Sequence, residues 1–281
     1  MIVVTGATGN VGRVLVGLLA EAGEETVAVS RRPQLAGLPA GVRGAQADVG
    51  NAASMRPVLE GADALFVLLG GELNSRGESP SALLDVARDT GVKRVVLLSS
   101  QLNSTRPESR SHARLREFEA AVRGSGLDFT ILRPGGFASN AFAWAESVRT
   151  KRTVFAPFAD VALPVVDPAD IAGVAVAALR EDGHAGRTYE LTGPEAISPR
   201  QQAGVISEAL GEAVAFVELS REEARAEMAR FMPPEVIDGT LDVLGVPLSA
   251  EQQVSLDVQT VLRRPASPFA AWAERNLPAF R

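Results

Sequence analysis

Cysteine is absent from all 281 residues, which rules out disulfides, thiolate metal sites and a cysteine nucleophile in any compartment. Histidine is almost as scarce: only His112 and His184 are present, too few for an imidazole-built centre, and no metal is expected. Tyrosine occurs once, as Tyr189, and lysine twice, as Lys93 and Lys151, so the stock of proton donors is thin. No apolar run is long enough to span a bilayer. The opening residues MIVVTGATGN read as strand and turn with no basic leader, so a cytoplasmic protein is expected. There is no excess of base either: net charge is -6, with acids and bases interspersed, which makes nucleic acid and membrane unlikely company.

What is present is the composition of a folded chain, 46% hydrophobic and 22% charged, long enough for one large core with an appendage. Short apolar runs alternate with segments of helical period. Ile2 to Val4, Thr26 to Val29, Ala45 to Ala47, Ala64 to Leu69, Arg94 to Leu98, Phe129 to Leu132 and a stretch around Arg187 to Leu191 are the expected strands. Pro80 opens one intervening helix, Ser109 or Ser111 is placed to cap the helix running to about Arg123, and Asp167 with Pro168 starts another. After Arg133 the pattern loosens into GGFASNAFAWAE, read as a loop and short helix. From Gly193 onward the segments read as helical and amphipathic, with Ser198 before Pro199 and a capping box from Ser220 to Glu223.

The segment VVTGATGNVGRVL sets Gly6, Gly9 and Gly12 three apart between a strand and a helix. Gly6 suits the sharp turn, Gly9 the approach of a pyrophosphate, and Gly12 the packing of helix on strand, with the helix N-terminus supplying amides and positive dipole. Thr8, Asn10 and Val11 are expected to line the same site. The fold class that follows is α/β: a Rossmann-type doubly wound parallel sheet with a smaller, mainly helical C-terminal substrate cap. Residues 1–192 form the nucleotide domain, with 136–156 contributing to the substrate pocket, and 193–281 form the cap. The second strand ends in VAVSRRP, where NAD-binding chains commonly carry an acid for the ribose. Arg31 and Arg32 stand there instead, which favours a 2'-phosphate and therefore NADP(H) over NAD(H). Asp48 faces the adenine or caps the following helix, and Val49 and Leu68 are assigned to the same groove.

GATGNVG, the arginine after the second strand, ADVGN, GVKRVVLLSS, SGLDFTILRPGGF, VDPADIA and TYELTGPEAIS together resemble the NmrA-like family of atypical short-chain dehydrogenases/reductases, over nearly the whole chain. The resemblance implies the fold, a bound dinucleotide, and one of two roles: an NADPH-dependent reductase of quinone-like or aromatic molecules, or a redox sensor that binds the nucleotide without turnover. It also implies Ser99 and Ser100 near the nicotinamide, flanked by Pro134, Gly135 and Phe137. Orthodox short-chain dehydrogenases use a Tyr and a Lys one helical turn apart, and no tyrosine here precedes a lysine in that way. Many NmrA-like chains carry a histidine one turn before a glutamate on the helix leading to SGL; the matching positions hold Leu115 and Glu119. His112, three residues earlier, and Ser100 are the candidate catalytic groups. Hydride transfer to an acceptor whose reduced anion is already stable fits this inventory. A sensor reporting the NADPH to NADP ratio to a protein partner, or an isomerase or epimerase, are the alternatives.

Overall fold

A computed structural model describes residues 1–31, 37–70, 77–230, 232 and 234–281. The strands are β1 (Ile2–Val4), β2 (Thr26–Ser30), β3 (Val42–Gln46), β4 (Ala64–Leu68), β5 (Arg94–Leu98), β6 (Asp128–Pro134), β7 (Thr153–Pro157), β8 (Arg187–Leu191) and β9 (Ala215–Leu219). The helices begin with α1 (Asn10–Glu21), α2 (Ala52–Leu59), α3 (Pro80–Asp89), α4 (Leu102–Thr105), α5 (Ala113–Gly124) and α6 (Ala145–Lys151). They continue with α7 (Pro168–Arg180), α8 (Pro199–Leu210), α9 (Arg221–Met228), α10 (Pro234–Gly245), α11 (Ser249–Gln252), α12 (Asp257–Leu262) and α13 (Phe269–Asn276).

Among the described residues, seven strands pair in parallel in the order β3-β2-β1-β4-β5-β6-β8. The register sets Ile2 opposite both Thr26 and Ala64. The central strands are continuous Val, Leu and Ile runs because both their faces are covered. Val4, Phe66 and Leu132 face the layer of α1 and α7, and Val3, Leu65, Leu97 and Ile131 face the layer of α2, α3 and α5. The chain runs outward through β1, β2 and β3, then returns to start again at β4. The gap between β1 and β4 is therefore the topological switch point, where open α/β sheets bind ligands at the carboxyl ends of their strands.

Two strands escape the sequence reading. β7 pairs in parallel with β9, Thr153 opposite Ala215, in a separate two-stranded sheet, so the segment after Gly193 is not helical throughout. Each strand is five residues long with its partner some sixty residues away, so neither carries a local period that separates it from a short helix. The helix starts at Asp167, Ser198 and Ser220 are capped as expected. Ser109 and Ser111 cap nothing: a 3₁₀ turn, Arg110–His112, precedes α5, and neither hydroxyl bonds a helical amide.

The C-terminal segment divides its packing. Val258 of α12 is buried in the core shared by α1 and α7. In α13, Phe269 and Trp272 pack with Phe142 and Phe280, the Phe142 and Trp272 ring centroids standing 5.0 Å apart. Buried Asp170 accepts from Arg264 at 2.7 Å and from the Ser267 amide at 2.6 Å, while Asp167 pairs with Arg275. The VDPADIA segment thus fastens the tail to α7. No helix among the described residues is long and apolar enough to cross a membrane.

Candidate dinucleotide and substrate site

The glycine turn lies at the switch point. Gly6 has φ +64, and a Cβ there would stand 2.8 Å from Leu68 Cδ2; a Cβ on Gly12 would run into the Gly6 carbonyl. The chain itself requires both glycines. Gly9 differs: its φ is -80, and the nearest neighbour of an added Cβ is the Gly6 carbonyl at 3.4 Å, an ordinary contact. Nothing in the protein demands glycine there, which leaves the space for a ligand. The amides of Asn10, Val11 and Gly12 open α1 and have no acceptor within the helix. Thr8, Gly9 and Asn10 are exposed, whereas the Val11 side chain belongs to the core and offers the site only its amide. Buried Thr5 fixes the turn against β4: its hydroxyl donates to the Phe66 carbonyl at 3.0 Å and accepts from the Leu68 amide at 2.9 Å. Thr5 was not marked by the sequence pattern.

At the end of β2, Arg31 is exposed, and its carbonyl accepts from Gln46 Nε2 at 3.1 Å. Arg32 lies outside the described residues. Asp48 does not cap α2. Its carboxylate accepts from the Gly50 amide two residues on, at 2.8 Å, while Asn51 caps the helix by accepting from the Ser54 amide. An Asx turn suits Asp as well as a cap does, and the geometry of the loop chose it. Val49 packs into the core on the α2 face and presents no side chain to the groove.

Beyond β5 the polar groups form a buried network. Glu119 Oε1 accepts from Ser99 Oγ at 2.6 Å, Asn103 Nδ2 at 3.0 Å and Arg133 Nε at 2.9 Å, and its Oε2 accepts from Arg133 Nη2 at 2.6 Å. Burial pushes the Glu119 carboxyl up, but Arg133, Ser99 and Asn103 outweigh it and hold it below the usual carboxylate range. Ser99, placed at the nicotinamide by the resemblance, commits its hydroxyl to this glutamate. Ser100 accepts from the Leu102 amide at 3.2 Å and turns the chain into α4. Gly135 donates to the Leu191 carbonyl, and a Cβ on it would stand 3.3 Å from Gln101 Oε1, so buried Gln101 closes on the loop of Pro134, Gly135 and Phe137. Arg106 and buried Glu251 bond bidentately at 2.7 and 2.9 Å, tying the α4 loop to α11.

Glu190 is the surplus carboxyl of the network. Its Oε1 meets Ser104 Oγ at 2.9 Å and Arg133 Nη1 at 3.4 Å, and its Oε2 is buried without a partner. Burial holds its pKa above the ordinary value, with Ser104 and Arg133 only partly offsetting it. A carboxyl raised in the folded state adds stability at low pH that disappears as pH climbs through the folded value. The Tm of Glu190→Gln relative to wild type should therefore rise between about pH 4 and pH 8. A constant difference across melts in that range would show that Glu190 does not titrate differently on folding.

His112 sits at the N-terminus of α5, with Nδ1 2.8 Å from Ser111 Oγ, which in turn lies 2.8 Å from Ser109 Oγ. Burial, and then the charge of Arg116, lower the His112 pKa and favour its neutral form. The glycine turn, Arg31 and the loop after β6 thus line the carboxyl ends of one sheet, whereas Val11, Val49 and Ser99 turn their side chains into the protein. Thr5, Gln101, Asn103, Arg133 and Glu190 complete the surroundings. The arginine inside the otherwise apolar strand ILRP was the one sequence sign of a buried charge pair.

A glycine turn opening a helix at the switch point of a parallel sheet defines a dinucleotide-binding protein. The family model described as NAD(P)H-binding matches residues 6–182. The chain is 38% identical over 288 residues to the (4-alkanoyl-5-oxo-2,5-dihydrofuran-3-yl)methyl phosphate reductase of Streptomyces griseus, covering 100% of this chain and 99% of that protein. It is 31% identical to the NAD(P)H azoreductase of Xenophilus azovorans over the same shares of both chains. Among solved structures, the NADPH-dependent quinone oxidoreductase of Escherichia coli in complex with NADPH aligns with a TM-score of 0.80 at 25% identity, covering 98% of this chain and 99% of that one. The chain belongs to the NAD(P)H-binding family.

Proposed function

We propose that this protein is an NADPH-dependent reductase of conjugated, electron-poor small molecules, quinone-like or aromatic. One observation carries the reading: where similar chains carry a histidine one turn before a glutamate, α5 has Leu115 and a Glu119 locked to Arg133, so no strong acid faces the acceptor from that helix. Acceptors whose reduced anions are delocalised need none. The three reductases named above agree with this choice of acceptor, since a quinone, an azo bond and an acyl-substituted unsaturated lactone are all conjugated and electron-poor. Bound NADPH supplies the hydride. The amides of Asn10, Val11 and Gly12 with Thr8 hold its pyrophosphate, Arg31 its 2'-phosphate, and the Pro134 to Phe137 loop flanks its nicotinamide, with residues 193–281 contributing the cap over the substrate. To test the activity, the protein is mixed with NADPH and a panel of quinones, and NADPH oxidation is followed; no rate above background with any of them overturns the reading.

Cofactor choice has its own test. Arg31→Ala should weaken NADPH binding by about 1.5–3 kcal/mol, the range for hydrogen bonds to charged groups, and leave NADH nearly unchanged. Calorimetric titration of both cofactors decides, and equal losses would show that Arg31 does not read the phosphate.

A sensor reading has one observation in its favour. Val246, Leu248, Val254 and Leu256 are exposed within one short stretch, Val246 to 75% and Leu256 to 67%. NADPH binding without oxidation across the quinone panel would favour it.

A further inference from the structure

Between the loop that follows β5 and helix α10 lies a cleft of about 340 Å³ lined by Leu102, Arg106, Ser109, Gly239 and Asp242, among others. It opens beyond the carboxyl end of β5, where the acceptor is expected. At its wall stands an arrangement that the helix start does not need. Serines before a helix ordinarily cap its amides, yet Ser109 and Ser111 bond each other and then His112. Gly239 lets α10 lie close to both hydroxyls, since a Cβ there would come 3.3 Å from Ser111 Oγ and 4.0 Å from Ser109 Oγ. Arg116 donates to the Ser109 carbonyl at 2.7 Å and holds the chain in place.

Resting on the reductase reading, we propose that Ser109, Ser111 and His112 form a proton relay that quenches the reduced acceptor. Hydride addition leaves the acceptor as an anion, and the Ser109 hydroxyl gives it a proton. Ser109 Oγ takes the Ser111 proton, Ser111 Oγ takes the proton from His112 Nδ1, and His112 Nε2 takes one from water. The imidazole changes tautomer and passes through no lasting charge, which suits a ring kept neutral by burial. The balance is acceptor plus hydride plus one solvent proton. Ser109 is the group that touches substrate; Ser111 and His112 act through it.

The relay matters in proportion to the basicity of the anion it quenches. Three acceptors separate the cases: a triarylmethyl cation dye, which hydride alone completes, a quinone, whose hydroquinone anion is weakly basic, and an azo dye, whose hydrazide anion is strongly basic. In Ser109→Ala and His112→Ala the azo-to-cation rate ratio should fall about a hundredfold, the lower range for a general acid, and the quinone-to-cation ratio should fall less. Ser109→Thr, which keeps the hydroxyl, should restore the ratio, and NADPH affinity should stay within about twofold of wild type. Nitrogen-15 NMR should find His112 carrying its proton on Nδ1, with a His184→Gln protein assigning the signals. Ratios unchanged in both alanine variants, or a proton on Nε2, overturn the relay while the reductase reading stands. A wild-type protein inert toward all three acceptors overturns both.

Discussion

Replacing Gly9 by valine is expected to abolish NADPH binding and leave the fold standing. The Gly9 backbone, at φ -80, is one that any residue adopts, and a Cβ there meets nothing closer than 3.4 Å. The valine branches would instead fill the space in front of the free amides of α1, where a pyrophosphate must come within hydrogen-bond reach. The loss should exceed about a hundredfold in Kd, the consequence of forfeiting two or more charge-assisted hydrogen bonds. Gly12→Ala supplies the contrast. Its Cβ would run into the Gly6 carbonyl and Ala7, so it should unfold the protein more easily, by about 1–3 kcal/mol as for other overpacked sites. Calorimetric titration beside thermal melting separates the two outcomes. A Gly9→Val protein with the NADPH affinity of wild type would remove the glycine turn from the site.

Glu119→Ala should be the most destabilising single change among the polar residues, at about 3–5 kcal/mol, because it leaves the half-buried Arg133 guanidinium without its bidentate partner. It also leaves the Ser99 hydroxyl proton without its acceptor and Asn103 Nδ2 with only its bond to Ser99 Oγ. Glu119→Gln keeps the shape and two acceptor lone pairs, so it should lose less. Denaturant unfolding of the three proteins measures this. A Glu119→Ala midpoint indistinguishable from wild type would mean that Arg133 finds solvent without penalty.

The same network explains what was and was not legible along the chain. Glu119 is readable as the glutamate of a helix motif whose histidine is replaced by Leu115, yet its role depends on Arg133, a charge near the end of an otherwise apolar strand. That the two meet follows from the packing of α5 on β6. Ser99 shows the converse. It stands at the strand end expected for a nicotinamide contact, but its side chain turned toward the only buried carboxylate acceptor within reach among the described residues, because an unsatisfied charge inside the core costs more than a missing contact to a ligand. Ser109 and Ser111 are likewise sound caps by residue type, displaced from that task by a 3₁₀ turn that no short window predicts.

By itself the sequence determined the central sheet, the glycine turn and the helix starts at Asp167, Ser198 and Ser220, because each is decided by residues within a few positions of one another: a β-branched run, a backbone that must take positive φ, a side chain that reaches the next turn's amide. Only the tertiary structure decided the pairing of β7 with β9, the fastening of Asp170 to Arg264 across 94 residues, and the grouping of Ser99, Asn103, Glu119, Arg133 and Glu190. These are contacts between segments far apart in the chain, and their energies are set by burial and by which partner is present, neither of which a local pattern contains.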